Sequence, residues 1–310
     1  MSTSTLTYPR RRTAVWGRVV DYIELTKPRI AVLELLTVLV GAGIACSGVP
    51  SDGWLILHLL GGTALVAASA SALNQWLERD TDGLMRRTAD RPLPAGRLTP
   101  TEVVIFGAIT GSAGLIWLLT LVGPMTAALG LLTWLLYVWI YTPLKKRSSA
   151  NTFVGAVAGA LPAMMGYAAL APASDAAELR LLAATLFLLV FLWQFPHFMA
   201  IAWLYRDSYA AGGMKMLPVV DPTGRRAGAQ AVLSAAALIP ISLLPTLLMR
   251  AGSVYFLLAL ALSVFQLLCA VSFAVRMNDI TARRLLRTSL VYLPTLMALL
   301  LTVPLVYPHL

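Results

Sequence analysis

The sequence predicts an all-α, polytopic membrane protein with nine transmembrane helices. Three observations predict it. The 310 residues are 58% hydrophobic and only 12% charged, well below the charged share of a water-soluble domain. Apolar runs of membrane-crossing length recur from residue 30 to the C-terminus. The basic residues gather in alternate connections between those runs.

The nine runs are 30–49, 55–77, 102–121, 125–142, 151–171, 181–205, 229–249, 253–275 and 288–307. Thr26 before Lys27-Pro28 reads as a helix N-cap followed by proline in the first turn. Of the 24 Lys and Arg, the tail through Arg29 holds six, loop 78–101 five, loop 143–150 three, and loops 206–228 and 276–287 four each. The intervening connections hold only Arg180 and Arg250. That bias places the N-terminus in the cytoplasm and the C-terminus outside. The tail 1–29 shows no cleavable signal. Its basic, acid-free start could pass for a mitochondrial presequence but is short, so a bacterial inner membrane is favoured over a mitochondrial one. The net charge of +10 would suggest nucleic acid in a soluble protein; here it follows the loop pattern, and the expected partner is the lipid bilayer, not nucleic acid. Cys46 and Cys269 lie in separate apolar runs without a Cys-x-x-Cys, so neither a zinc site nor a disulfide framework is indicated.

The chemistry concentrates in residues 74–93, where the second run ends. Asn74, Glu78 and Asp82 recur every four residues and share one helix face. Arg79, Arg86, Arg87 and Arg91 crowd the same stretch. Hard oxygen ligands beside arginines suit a magnesium ion with a bound diphosphate: carboxylates alone would repel it, and arginines alone would need no metal. Such a pair at a lipid-embedded helix end suits a substrate with a phosphorylated head and an apolar tail. The plainer alternative is a solvated helix end whose acids pair with nearby arginines. Asp80 lies off the shared face and is expected either to support the ligands from outside or to pair with an arginine. The arginines, with Lys145 and Lys146, could instead set topology or attract anionic lipid; for Lys146 that reading is preferred.

Trp193-Gln194-Phe195-Pro196-His197-Phe198 puts a Gln and a His inside the sixth run, where ionisable groups usually face a cavity. His197 is expected either to make a helix–helix hydrogen bond or to contact a substrate, for instance by ligating a haem iron. His58 and His309 sit at span ends and attract no role. Trp76-Leu77-Glu78-Arg79-Asp80-Thr81 is echoed by Trp203-Leu204-Tyr205-Arg206-Asp207-Ser208, which suggests two weakly related halves within one transmembrane domain, 30–310.

These motifs carry a family resemblance. The spacing Asn74-x-x-x-Glu78-x-x-x-Asp82, followed by Met85, Arg87-Thr88 and Arg91-Pro92-Leu93, resembles the first aspartate-rich motif of the UbiA intramembrane prenyltransferase superfamily. The haem-specific branch, the protohaem IX farnesyltransferase (haem O synthase) family, is matched by Leu25-Thr26-Lys27-Pro28-Arg29, Tyr141-Thr142-Pro143-Leu144-Lys145, the Trp193–Phe198 run and Met216-Leu217-Pro218-Val219-Val220. Residues from Ala282-Arg283 to Tyr292-Leu293 resemble the family's C-terminal end. The resemblance implies a UbiA-like helical bundle around a central cavity. It implies Mg2+ as cofactor, farnesyl diphosphate and haem b as substrates, and a haem A synthase as a candidate partner. It assigns catalysis to Asn74, Glu78, Asp82, Asp207 and Tyr209, the first three as metal ligands. Lys27, Arg79, Arg86, Arg87, Arg91 and Lys145 would hold the diphosphate, and His197, Gln194 and Trp193 the haem. Glu78 departs from the commoner Asp, Ser208 from an Asp, and Gly212 from an Ala. Either Asp207 substitutes or the second motif is weaker, which bears on rate more than identity. Rival readings are a quinone-precursor or chlorophyll-type acceptor, and a polytopic transporter.

Overall fold

A computed structural model describes residues 15–46, 50–171, 177–248 and 252–306. Among them no strand occurs, and nine helices are long and apolar enough to cross a membrane. These are α2 (Pro28–Ala45), α3 (Gly53–Asp82), α4 (Pro100–Leu121), the compound span begun by α5 (Pro124–Leu135), α7 (Asn151–Leu170), α8 (Ala177–Leu204), α11 (Arg225–Leu248), α12 (Gly252–Arg276) and α13 (Asp279–Val306). The compound span continues as a π-helical segment, Leu136–Tyr141, and ends in α6 (Thr142–Leu144). Short helices α1 (Val15–Leu25), α9 (Arg206–Ala211) and α10 (Leu217–Val220) lie at the ends of the spans. Arg10, Arg11, Arg12, Arg250, His309 and the predicted end of the first run at 47–49 lie outside the described residues.

Three boundaries differ from the sequence reading. Helix α3 runs through Asp82, so the apolar run and the polar motif are one helix. Helix α13 starts at Asp279, about two turns before its apolar run, where Asn278 Oδ1 accepts from the Thr281 N–H at 2.9 Å and caps the first turn. Thr26 does not cap α2. Its hydroxyl turns back to the Ile23 carbonyl at 2.8 Å, and Lys27, in the left-handed region at φ 50°, forms the cap.

Packing follows small residues, as expected where lipid removes the hydrophobic drive between helices. Gly166 of α7 meets the Val38 carbonyl of α2, and a Cβ there would fall 1.9 Å from that oxygen. Ser69 of α3 donates to the Gly107 carbonyl of α4 at 2.6 Å. On the other side, Trp193 of α8 donates to the Ser289 carbonyl of α13 at 2.7 Å. Buried Ser242 and Ser263 bond at 2.7 Å between α11 and α12. The largest buried cluster joins α2, α7, α8, α11, α12 and α13 around Tyr167, Leu189, Trp193, Tyr255 and Tyr292.

Helix α1 was not legible as a separate element. Val15, Trp16, Val19 and Ile23 are exposed, while Gly17, Asp21 and Leu25 are buried. One apolar face outward and one anchored face inward suit a helix lying in the membrane interface. Its anchors are ionic: Asp21 accepts from Arg97 at 2.7 Å, Glu24 from Arg97 at 2.9 Å, and Arg18 pairs with Glu102.

Candidate active site

Helix α3 brings Asn74, Glu78 and Asp82 to one buried face at the polar end of the bundle; they are 1%, 5% and 0% exposed. Each oxygen group receives one cation. Lys27 Nζ lies 2.6 Å from Asn74 Oδ1, Lys145 Nζ 2.8 Å from Glu78 Oε1, and Arg91 Nη1 2.6 Å from Asp82 Oδ2. The cations come from three separate elements: the turn before α2, the end of the compound span, and the turns after α3.

Local structure explains each placement. Pro143 has no N–H for the Trp139 carbonyl, and the helical ladder ahead of it widens to the π form. Thr142 Oγ1 then bonds the Tyr137 carbonyl at 2.8 Å and accepts from Asn74 Nδ2 at 3.0 Å. This fixes which way the Asn74 amide points, with its oxygen toward Lys27. Lys145, four residues past Tyr141, lies 4.5 Å from that ring's centroid and reaches Glu78. Arg91 is brought back to Asp82 by a run of turns, in which Thr88 Oγ1 donates to the Asp82 carbonyl at 3.0 Å.

The charges are strongly coupled. Burial, with Arg91 nearby, pushes the Lys27 ammonium down to about 7 against the pull of Glu78. Burial also works against the Lys145 ammonium, but Glu78, Tyr141 and Tyr137 together hold that group above the usual lysine range.

The other predicted residues divide. Arg87 lies over Tyr205 and Tyr209, 5.0 and 5.8 Å from the ring centroids, and so ties the first polar loop to α9. Arg86 and Asp207 are exposed and have no side-chain partner among the described residues. Arg79 is not brought to the Asn74 face. Its guanidinium bonds the Trp76 carbonyl at 2.9 Å, and Asp80 lies 3.7 Å away as its arginine partner. Arg206 repeats this on Trp203, at 2.7 Å to the carbonyl and 4.7 Å to the ring centroid. The repeated Trp-Leu-x-Arg motif thus closes two helix ends in the same way. Gly212 packs on Thr81, where a Cβ would fall 2.9 Å from Cγ2.

His197 Nδ1 lies 2.8 Å from Ser289 Oγ, and its ring stacks on Trp193 at 4.7 Å between centroids. The helix–helix hydrogen bond is therefore present, while Nε2 has no partner among the described residues. Gln194 donates to the Ala156 carbonyl at 2.9 Å and joins α7 to α8. Sequence reasoning missed Ser289, Thr142 and Lys215. The Lys215 N–H bonds the Lys145 carbonyl at 2.7 Å, and its own carbonyl accepts from Asn151 at 3.2 Å. Lys146, read from the sequence as a topology charge, joins Glu78, Thr142, Arg147 and Met214 around a cleft of about 200 Å3.

The donor set fits a hard divalent cation. One amide oxygen and two carboxylates share a face, and Asp82 Oδ1 is buried with no hydrogen-bond partner among the described residues. A buried carboxylate oxygen left open is costly unless something cationic fills the position. A model of the UbiA prenyltransferase family matches residues 35–306. The chain belongs to the UbiA prenyltransferase family. Among curated relatives, a protoheme IX farnesyltransferase of Solibacter usitatus is 42% identical, covering 91% of this chain and 97% of the relative. One of Koribacter versatilis is 41% identical over 96% and 97%. A solved digeranylgeranylglyceryl phosphate synthase superposes with a TM-score of 0.76 at 17% identity, covering 92% and 98% of the two chains. A UbiA homolog from Archaeoglobus fulgidus, bound to GPP and Mg2+, gives 0.66 at 15% identity over 90% and 99%. At these identities the structures establish the prenyltransferase fold.

Proposed function

We propose that the chain transfers the farnesyl group of farnesyl diphosphate to a vinyl group of protohaem IX, giving haem O and diphosphate. The observation that carries the reading is the buried face of α3, where three oxygen ligands each meet one cation and Asp82 Oδ1 stays open. The acceptor follows from the likeness to protoheme IX farnesyltransferases over nine-tenths of the chain.

Asn74, Glu78 and Asp82 would hold Mg2+, which when bound neutralises charge on the departing diphosphate. Lys27, Lys145 and Arg91 stand ready to exchange their present partners for phosphate oxygens. Lys146 and Arg147 line the cleft beside Glu78 and supply further positive charge there. The apolar interior excludes water from the allylic cation. His197 offers Nε2 to the haem, and Ser289 holds its ring in place.

Mass spectrometry of haems extracted from membranes expressing the chain is expected to show a farnesylated haem. Its absence, with inserted protein and both substrates supplied, would overturn the reading. His197→Ala is expected to weaken haem binding and change the haem absorption spectrum while a non-hydrolysable farnesyl diphosphate analogue binds as before. Loss of analogue binding with an unchanged haem spectrum would reverse that assignment.

We place the polar end in the bacterial cytoplasm, with the N-terminus inside and the C-terminus outside, because the basic loops gather at that end. We read 30–310 as one transmembrane domain of two related halves, supported by the matched Trp–Arg helix ends. In a variant lacking Cys46 and Cys269, single cysteines at Asp90 and Pro222 should react only from the cytoplasmic side. Labelling of either position from outside intact cells would refute the orientation.

A further inference from the structure

Glu34 is an acid inside the α2 span. Among the described residues its carboxyl has no hydrogen bond or ion pair; only its backbone carbonyl is engaged, by Thr37 Oγ1 at 2.7 Å. An unpaired acid in a membrane span is costly and marks a functional interior.

Its position is defined by its neighbours on α2. Glu34 and Val38, four residues apart, share one face of α2, and Lys27 sits in the left-handed turn just before the helix. At the polar end Lys27 meets Asn74. At the deep end Val38 is fully buried, its carbonyl against Gly166 of α7. Glu34 lies between them, about 10 Å along the axis from Lys27, on the side of α2 that Val38 buries. It is half-buried. Side chains on a helix lean toward its N-terminus, which for α2 is the polar end.

His197 lies seven residues, about 10 Å, before the polar end of α8. Leu33 and Leu36, flanking Glu34, pack against the cluster that contains Trp193, on which His197 stacks. The helices that carry the carboxyl and the imidazole thus border the same buried cluster.

Given the proposed function, on which this inference rests, that region has a need the α3 site does not meet. The C–O bond to diphosphate breaks with its electron pair leaving on oxygen. The vinyl π pair forms the new carbon–carbon bond and leaves a cation on the carbon next to the pyrrole. A water lone pair closes on that carbon, and the added water must then lose a proton. We propose that Glu34 is the catalytic base that orients this water and takes its proton, so that the hydroxyl-bearing product forms.

The test uses the full-length protein in membranes, supplied with haem and farnesyl diphosphate. Glu34→Gln keeps size and shape, and retained binding of the farnesyl diphosphate analogue reports a folded variant. The expected result is a kcat lower by about a hundredfold with KM for both substrates unchanged. The residual product should shift toward a farnesylated haem lighter by one water, formed when the cation loses a carbon-bound proton instead. Glu34→Asp should restore the hydrated product. Glu34→Gln that makes hydrated product at the wild-type rate overturns the proposal, as does a loss confined to a raised KM for haem. A wild-type protein that makes no farnesylated haem overturns the functional reading itself, so the two failures are distinguishable.

Discussion

Replacing Asp82 with Asn is expected to lower turnover by roughly a hundredfold or more, at every accessible magnesium concentration. Asp82 is fully buried and has two oxygens with different tasks: Oδ2 accepts from Arg91 at 2.6 Å, and Oδ1 has no hydrogen-bond partner among the described residues. Asparagine has only one acceptor. If its oxygen turns to Arg91, its amide protons occupy the cation position. If the oxygen takes the cation position, the amide opposes the Arg91 guanidinium. Either rotamer loses one contact and also removes the negative charge that balances metal and arginine. Glu78→Asp, by contrast, keeps a hard oxygen ligand on the same face and should retain activity. Diphosphate release across a magnesium titration measures both. Wild-type turnover in normally inserted Asp82→Ala would refute the metal-ligand assignment.

The second large effect is expected at Lys145. Lys145→Met removes the cation 2.8 Å from Glu78 Oε1 and leaves a carboxylate that is only 5% exposed. Stranding one member of a buried pair typically costs roughly 3–5 kcal/mol. Lys145 is also one of the three cations able to transfer to a phosphate oxygen, so analogue affinity should fall at least about tenfold, matching the loss of one charged hydrogen bond. Pairing the substitution with Glu78→Gln separates these effects. The double variant should recover thermal stability but not affinity for the farnesyl diphosphate analogue. A single variant that keeps both would show that the contact is incidental.

The chain's sequence by itself determined whatever depends on near neighbours. Nine apolar runs, the shared face of Asn74, Glu78 and Asp82, and the Trp-Leu-x-Arg repeat are all expressed over one or a few helical turns. Helical periodicity makes such patterns readable without the fold. Its motifs also named Lys27, Arg91 and Lys145, but as members of a larger basic group that included Arg79. Only the tertiary structure decided which cation meets which oxygen, because Lys27, Lys145 and Arg91 reach α3 from elements far apart in the chain. It likewise turned Arg79 onto Trp76, gave His197 its Ser289 partner, and folded part of the basic tail into α1. Glu34 did leave a signal, a lone acid in an apolar run. Its meaning depended on whether that helix face met lipid or the interior, which the burial of Val38 against α7 settles. Local periodicity specifies a helix and its faces; which face meets which partner is set by close packing between helices, and that is a property of the whole bundle.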